Sequence, residues 1–220
     1  MFRFVTFLLV TLFGVSTVFA QTSEAPAAAP ATAPVVDEAE NILHLDLSTG
    51  GRVSIKMFPA VAPAHVERIK TLARQGFYNG VVFHRVIEGF MAQTGDPTGT
   101  GTGGSPLPDL KAEFNPTPHL RGTVSMARAA SVDSANSQFF ICFQPRFALD
   151  NNYTAFGRVI AGMQYVDAIQ RGEPPATPDR ILQASIGSDN VPSPDFTAVA
   201  KPAAPIDAPV TLSDLNKPLN

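Results

Sequence analysis

The stretch Phe83-His84-Arg85-Val86-Ile87-Glu88-Gly89-Phe90-Met91-Ala92-Gln93-Thr94-Gly95-Asp96 decides how this 220-residue chain is read. Its first half is too rich in β-branched and aromatic residues to be anything but extended backbone. Strand alternation sends Phe83, Arg85 and Ile87 to one face and His84 and Val86 to the other. Arg85 is therefore expected among apolar neighbours rather than in open water. Gly89 interrupts the run, and a glycine inside a strand pattern marks a bulge or bend that can re-aim the residues after it. Phe90, Met91 and Gln93 are then expected to face the same concavity as Arg85.

Upstream of this stretch, Leu43, Leu45 and Leu47 alternate with His44 and Asp46. After a Ser-Thr-Gly-Gly turn, Val53, Ile55 and Met57 resume the pattern, which predicts a β-hairpin. Pro63 suits a first helical position, and Val66, Ile69, Leu72 and Ala73 keep helical spacing until Gly76 closes the segment. Phe77-Tyr78 is expected to return the chain to a strand, and Asn79-Gly80 to turn it. Downstream, the glycine run from Gly99 to Gly104 lacks the Lys-Ser or Lys-Thr and the helix of a phosphate loop, so it reads as a surface loop.

Val124–Ala127 and Ser137–Phe143 are two further strands. In the second, Gln138 and Phe140 share one face, while Phe139, Ile141 and Phe143 share the other, which is expected to be the interior. Phe147–Tyr153 reads as a loop and Ala155–Ile160 as a strand. Met163, Val166 and Ile169 describe a short helix ending at Gly172, and Ile181–Ile186 a last strand. Many short antiparallel strands and only two helices predict a mainly β fold: a closed eight-stranded antiparallel β-barrel whose ends are capped by two α-helices.

The rest of the chain frames this domain. Residues 1–20 carry Arg3, an apolar run from Phe4 to Phe13 and a small residue before Gln21, the pattern of a cleavable signal peptide. The apolar run is shorter than the roughly 20 residues of a membrane span, so no stable insertion is expected after cleavage. Residues 21–40 are Ala/Pro-rich with few large apolar groups and read as a disordered linker. The domain occupies 41–188, and 189–220 is a Pro-rich flexible tail. An exported chain is expected, periplasmic or alternatively secreted.

Without Arg3 the 16 basic residues fall to 15 against 19 acidic ones, a net of −4, and no basic patch points to nucleic acid. The single cysteine, Cys142, lies in the apolar run Phe139–Phe143 and reads as a buried inert thiol. His44, His65, His84 and His119 lack metal-ligand spacing, and His84, on the face opposite Arg85, reads as a hydrogen-bonded structural residue. Neither metal nor cofactor is expected, and the chain is expected to be a monomer. Asn152-Tyr153-Thr154 forms a glycosylation sequon, meaningful only in a eukaryotic source.

At Phe83–Asp96, together with Val124-Ser125-Met126-Ala127-Arg128-Ala129 and Ser137-Gln138-Phe139-Phe140-Ile141-Cys142, the chain resembles the cyclophilin-type peptidyl-prolyl isomerases. The resemblance spans Asn41 to Gly187, with its blocks in the family's order. It implies an enzyme that rotates Xaa-Pro bonds in proline-containing polypeptides. It also implies Arg85 and Gln93 as catalytic residues and Phe90, Met91, Phe140 and Leu149 as an apolar pocket for the proline ring. Ala127, Ala129 and Gln138 would form a groove wall for the preceding residues, bordered by the glycine loop.

Taken singly, each of these apolar residues would more commonly be core, and Arg85 would cap a carbonyl or pair with Glu88. Gln93 is expected to hold the guanidinium while still bonding substrate backbone. The chain departs from the familiar eukaryotic pattern at Arg128 (asparagine there), Tyr153 (histidine in many) and Ala148 (often a rim tryptophan). Arg128 and Tyr153 are kept among the substrate-binding positions. Ala148 is expected to weaken cyclosporin binding, with Phe147 next door a possible substitute contact.

Overall fold

The leucines of the first hairpin show how the sheet is built. The computed structural model describes residues 38–198; the expected signal peptide at 1–20, residues 21–37 of the expected linker and residues 199–220 of the expected tail lie outside the described residues. Strands β1 (Ile42–Leu47) and β2 (Gly51–Met57) pair antiparallel with Leu43 opposite Ile55 and Leu45 opposite Val53. Residues directly opposite share a face, and all four are fully buried. Helix α1 (Pro63–Arg74) begins with its proline in the first turn and buries Val66, Ile69, Leu72 and Ala73 in the same core.

The remaining strands are β3 (Arg85–Ile87), β4 (Met91–Thr94), β5 (Thr123–Met126), β6 (Phe139–Cys142), β7 (Ala155–Ala161) and β8 (Ile181–Ile186). Helix α2 is the five-residue Met163–Asp167. The eight strands form one antiparallel sheet in the order β3-β4-β6-β5-β7-β2-β1-β8. The sheet curls over a core in which Phe83, Phe139, Ile141 and Phe156 meet the hairpin and α1.

The barrel is open rather than closed. Its outermost strands, β3 and β8, share no ladder; among the described residues the seam is spanned by the isolated bridges Val82 with Arg180 and Val86 with Gly172 and by the Gly80 N–H donating to the Ile181 carbonyl. The physical reason is local: β3 is three residues long, and the segment facing it, Arg171–Pro175, carries Pro174 and Pro175, which have no N–H to donate to a ladder. The fold is a mainly β, curled half-barrel with two helices.

Three local expectations also change. Phe77–Gly80 is all turn, and Tyr78 is sealed inside it, its hydroxyl donating to the Ser137 carbonyl at 3.1 Å. Phe83 packs in the core with Val86 rather than beside Arg85, because regular strand begins only at Arg85 and alternation has no hold on residue 83. His84, expected to be hydrogen-bonded, is buried with neither ring nitrogen partnered among the described residues. Burial therefore pushes its pKa down, a nearby Asp96 opposing and Arg85 assisting.

The described residues extend past 41–188 at both ends. A 3₁₀ turn at Glu38–Asn41 and another at Gly187–Asp189 meet at the end of α1, where Arg74 donates to Glu40 (2.8 Å) and Asp189 (2.9 Å). Glu40 also accepts from Ser188 at 2.6 Å. The Arg74 and Ser188 hydrogen bonds outweigh its burial and hold the Glu40 carboxyl at a pKa of about 2.

Candidate active site

Cross-strand register sorts the decisive stretch into two faces. Arg85 lies opposite Gln93, and Gln93 lies opposite Phe140, so the three form one row across β3, β4 and β6. Ile87, Met91 and Cys142 form the next row. The intervening row, Val86, Ala92, Ile141 and Val124, points into the core. Gly89 does more than bend the strand. It takes a φ of 65° in the turn where Phe90 N–H donates to the Ile87 carbonyl, so β3 and β4 reverse as a hairpin. That reversal brings Phe90 and Met91 back beside Arg85.

The result is a cavity of about 240 Å³ lined by Arg85, Phe90, Met91, Gln93, Ala127, Arg128, Phe140, Leu149 and Tyr153. It is small enough for a single ring; drug-sized ligands occupy roughly 300–1,000 Å³. Phe140 is its floor. Tyr153 meets Phe140 edge-on with centroids 5.9 Å apart, and Phe90 tilts against it at 6.5 Å. The Arg128 guanidinium lies 4.6 Å over the Tyr153 ring, while its Nη1 and Nη2 donate to the carbonyls of Ala129 and Asn152. At the rim, Phe147 is 65% exposed beside Ala148.

A second cavity of about 540 Å³ adjoins the first and shares Gln93, Ala127 and Arg128 with it. Ala129, Gln138 and the glycine loop line it, together with Ser105, Asp109, Ser134 and Asn136. The eleven residues singled out from the sequence thus fall on two contiguous cavities. The polar wall of the second, from Ser105 to Asn136, had no signal in the sequence because its residues lie in irregular backbone without periodicity.

The polar contacts differ from expectation at two points. Gln93 does not hold the guanidinium: its Nε2 donates to Gln138 Oε1 at 2.9 Å, and Gln138 Nε2 in turn donates to the carbonyls of Gly101 and Gly103. The side-chain amides therefore tie the sheet to the glycine loop. Arg85 is not enclosed by apolar groups either. Its side chain is 41% exposed, and Nε donates to Glu173 Oε2 at 2.7 Å, whereas Glu88 takes Arg171 as its partner.

Asp96 anchors the loop from below. Fully buried, its carboxylate accepts from the N–H groups of Thr98, Gly101 and Gly103 and from the Thr98 hydroxyl. Burial alone would raise its pKa, but these hydrogen bonds to the charged form prevail and bring it to about 2. His119, outside the sequence's list of site residues, stacks under Phe140 with centroids 6.3 Å apart. Its Nδ1 pairs with Asp150 at 2.8 Å and its Nε2 with Ser125 at 3.1 Å, so the pocket floor rests on a fixed imidazole. Cys142 is buried, which with the Asp150 charge pushes its thiol up to about 12, as an inert core residue requires.

The site is an apolar cup with two arginines, Arg85 and Arg128, on its wall, set on the outer face of a curled antiparallel sheet. Residues 44–186 match the model of the family described as cyclophilin type peptidyl-prolyl cis-trans isomerase/CLD. The chain belongs to this family. It is 47% identical over 166 residues to the probable peptidyl-prolyl cis-trans isomerase of Brucella suis biovar 1 (strain 1330), covering 68% of this chain and 84% of that one. Against peptidyl-prolyl cis-trans isomerase B of Bacillus subtilis (strain 168), identity is 41% over 129 residues, covering 58% and 89%. Among solved structures, cyclophilin AquaCyp293 from Hirschia baltica superposes with a TM-score of 0.64 at 28% identity, over 73% of this chain and 83% of that one. A Cryptosporidium parvum cyclophilin solved in the presence of the dipeptide ala-pro gives 0.62 at 28% identity, over 66% and 98%.

Proposed function

We propose that this protein catalyses cis–trans rotation about Xaa-Pro peptide bonds in unfolded or partly folded polypeptides, with exported chains as its clients. The barrier to be lowered is about 18–20 kcal/mol, because the imide nitrogen shares its lone pair with the carbonyl. The two isomers differ by only about 0.5–1 kcal/mol, so the task is kinetic. Holding the proline ring in the cup of Phe90, Met91, Phe140 and Leu149 lets the carbonyl side turn. As it turns, the nitrogen becomes pyramidal and its lone pair localises. A permanently charged planar donor can hydrogen-bond to that lone pair without transferring a proton, which is the role of Arg85. Gln93, whose Oε1 makes no hydrogen bond among the described residues, offers that acceptor to the substrate backbone beside it, while Gln138 walls the groove.

The observation that carries this reading is the shared lining of one small apolar cavity by Arg85 and the Phe140 floor. Relatives named as isomerases and a neighbour solved with ala-pro support it. In a protease-coupled assay on a proline peptide, the chain from Gln21 onward is expected to accelerate isomerisation. Arg85→Ala should lose about 10²–10³-fold in kcat/KM, the usual loss for one transition-state donor. A wild-type rate equal to the uncatalysed one, with the peptide still bound, would make the domain a clasp rather than an enzyme. The leader-like N-terminus supports the exported-client part; recovery of the mature chain from the cytoplasm on cell fractionation would remove it.

A further inference from the structure

The charge on the catalytic-side strand is matched by a short strap laid along its free edge. Val86 and Gly172 exchange both backbone hydrogen bonds at 2.8 Å, so the segment Arg171-Gly172-Glu173 runs antiparallel to β3. Antiparallel geometry then sets Glu173 directly across from Arg85, and Arg171 across from Ile87, within reach of Glu88. Both cross-pairs form: Arg85 Nε to Glu173 Oε2 at 2.7 Å and Arg171 Nε to Glu88 Oε2 at 2.7 Å. Gly172 also makes the turn that follows the bridge possible: at a φ of 149° a Cβ would lie 2.5 Å from the Pro175 backbone, so only glycine fits where the strap folds back into Pro174-Pro175. Two reciprocal charge pairs around one tight backbone bridge admit a single register.

Which part of the guanidinium is held matters. Glu173 takes the Nε–H, and the two terminal nitrogens of Arg85 make no hydrogen bond among the described residues. Glu173 does not line the cup. An arginine side chain is long and rotamer-rich, and freezing it at the moment of reaction costs entropy unless something has fixed it beforehand. A carboxylate on the inner edge of the fork does that and leaves the outer donors for the substrate.

We propose that Glu173 is the positioning residue for Arg85: it anchors the guanidinium through Nε so that the terminal N–H groups stand ready for the imide nitrogen. The inference rests on the isomerase reading above. The pair is 41% and 51% exposed at its two side chains, so its value lies in orientation and little in stability.

The test pairs kinetics with a signal from the arginine itself. In the intact ¹⁵N-labelled protein, the Arg85 Nε–Hε resonance, assigned by its loss in Arg85→Lys, is expected to be displaced and slow to exchange. Glu173→Ala should return it to the position of a free arginine, and Glu88→Gln should leave it unmoved. Glu173→Ala should also lower kcat about tenfold with KM nearly unchanged, as misplacing a reacting group does. Glu173→Gln, which keeps an acceptor, should recover most of that loss, and Glu88→Gln should keep the wild-type rate. An unchanged or raised kcat in Glu173→Ala overturns the proposal, as does an Hε signal indifferent to Glu173 or an equal loss in Glu88→Gln. A wild-type protein without activity sinks the isomerase reading instead, and the Hε signal still decides whether Glu173 orients Arg85.

Discussion

Phe139 and Phe140 are consecutive in β6, yet one is sealed in the body of the protein and the other floors a cavity that opens to solvent. Phe139 is boxed in edge-on by Tyr78 and Phe156, centroids 5.6 and 6.0 Å away, beneath a core that α1 completes. Phe140 joins Met91 and Cys142 in a second, smaller apolar cluster, whose apolar neighbours Ile87, Phe90, Ala127, Leu149 and Tyr153 are all only partly buried. Both phenylalanines are nearly inaccessible, at 0% and 5%. Burial alone therefore does not separate packing from binding; what separates them is the second layer. A helix closes one face, while single side chains and two arginines ring the other.

Exchanging each aromatic for alanine would test that contrast most severely. Phe139→Ala should cost about 3–5 kcal/mol, the range for deleting a core aromatic, read in urea unfolding. Phe140→Ala should cost less than half as much because its cavity opens to water, and should remove most of the isomerase rate while leaving a folded chain. Equal stability losses would erase the distinction between the two faces.

A smaller effect is expected at the loop that borders the cup face. Asp96→Ala strands the N–H groups of Thr98, Gly101 and Gly103, a loss of about 2–4 kcal/mol at neutral pH by the usual cost of unpaired buried donors. The sign with pH follows from the depressed carboxyl. Its folded pKa of about 2 lies below the unfolded value of about 3.9, so its contribution is complete above pH 4 and fades as pH falls through 2. Wild type and Asp96→Ala should thus converge in stability between pH 4 and pH 2, and parallel curves would refute the assignment. The smallest effect belongs to a pair away from both clusters. Lys56 and Glu38 meet at 2.7 Å with side chains 45% and 78% exposed, so Lys56→Ala should change stability by at most about 0.2–1 kcal/mol, and by less at high salt.

Much of this could be read from the chain. Wherever strands are regular, alternation assigned the faces: Leu43, Leu45, Phe139 and Ile141 inward, and Phe140 with Gln93 outward. Where the backbone is irregular it failed, as at Phe83, two residues before β3 begins, and at Phe77-Tyr78, where burial comes from a turn. Closure of the barrel was overread because alternation tells which side a residue faces, not whether the last strand meets the first.

Most of the cup lining was legible because its members sit in three dense blocks, with Leu149 and Tyr153 coming from the loop after β6. The partners of its polar groups were not. Glu173 lies 88 positions from Arg85, His119 comes under Phe140 from an irregular segment, and Gln93 turns to Gln138 rather than to the arginine. Such pairings depend on which loops the fold brings alongside, and no local pattern encodes that.

The clasp of Glu40, Arg74, Ser188 and Asp189 has a consequence for engineering. It brings the turn before β1 and the turn after β8 to one spot at the tip of a helix, the arrangement that tolerates circular permutation and transplantation into a host loop. Linking the chain ends beyond these two turns, with Val191 and Pro192 kept because they accept from Arg52 and Gln183, and opening the chain at an exposed turn would yield a rearranged version with its Arg85 cup intact.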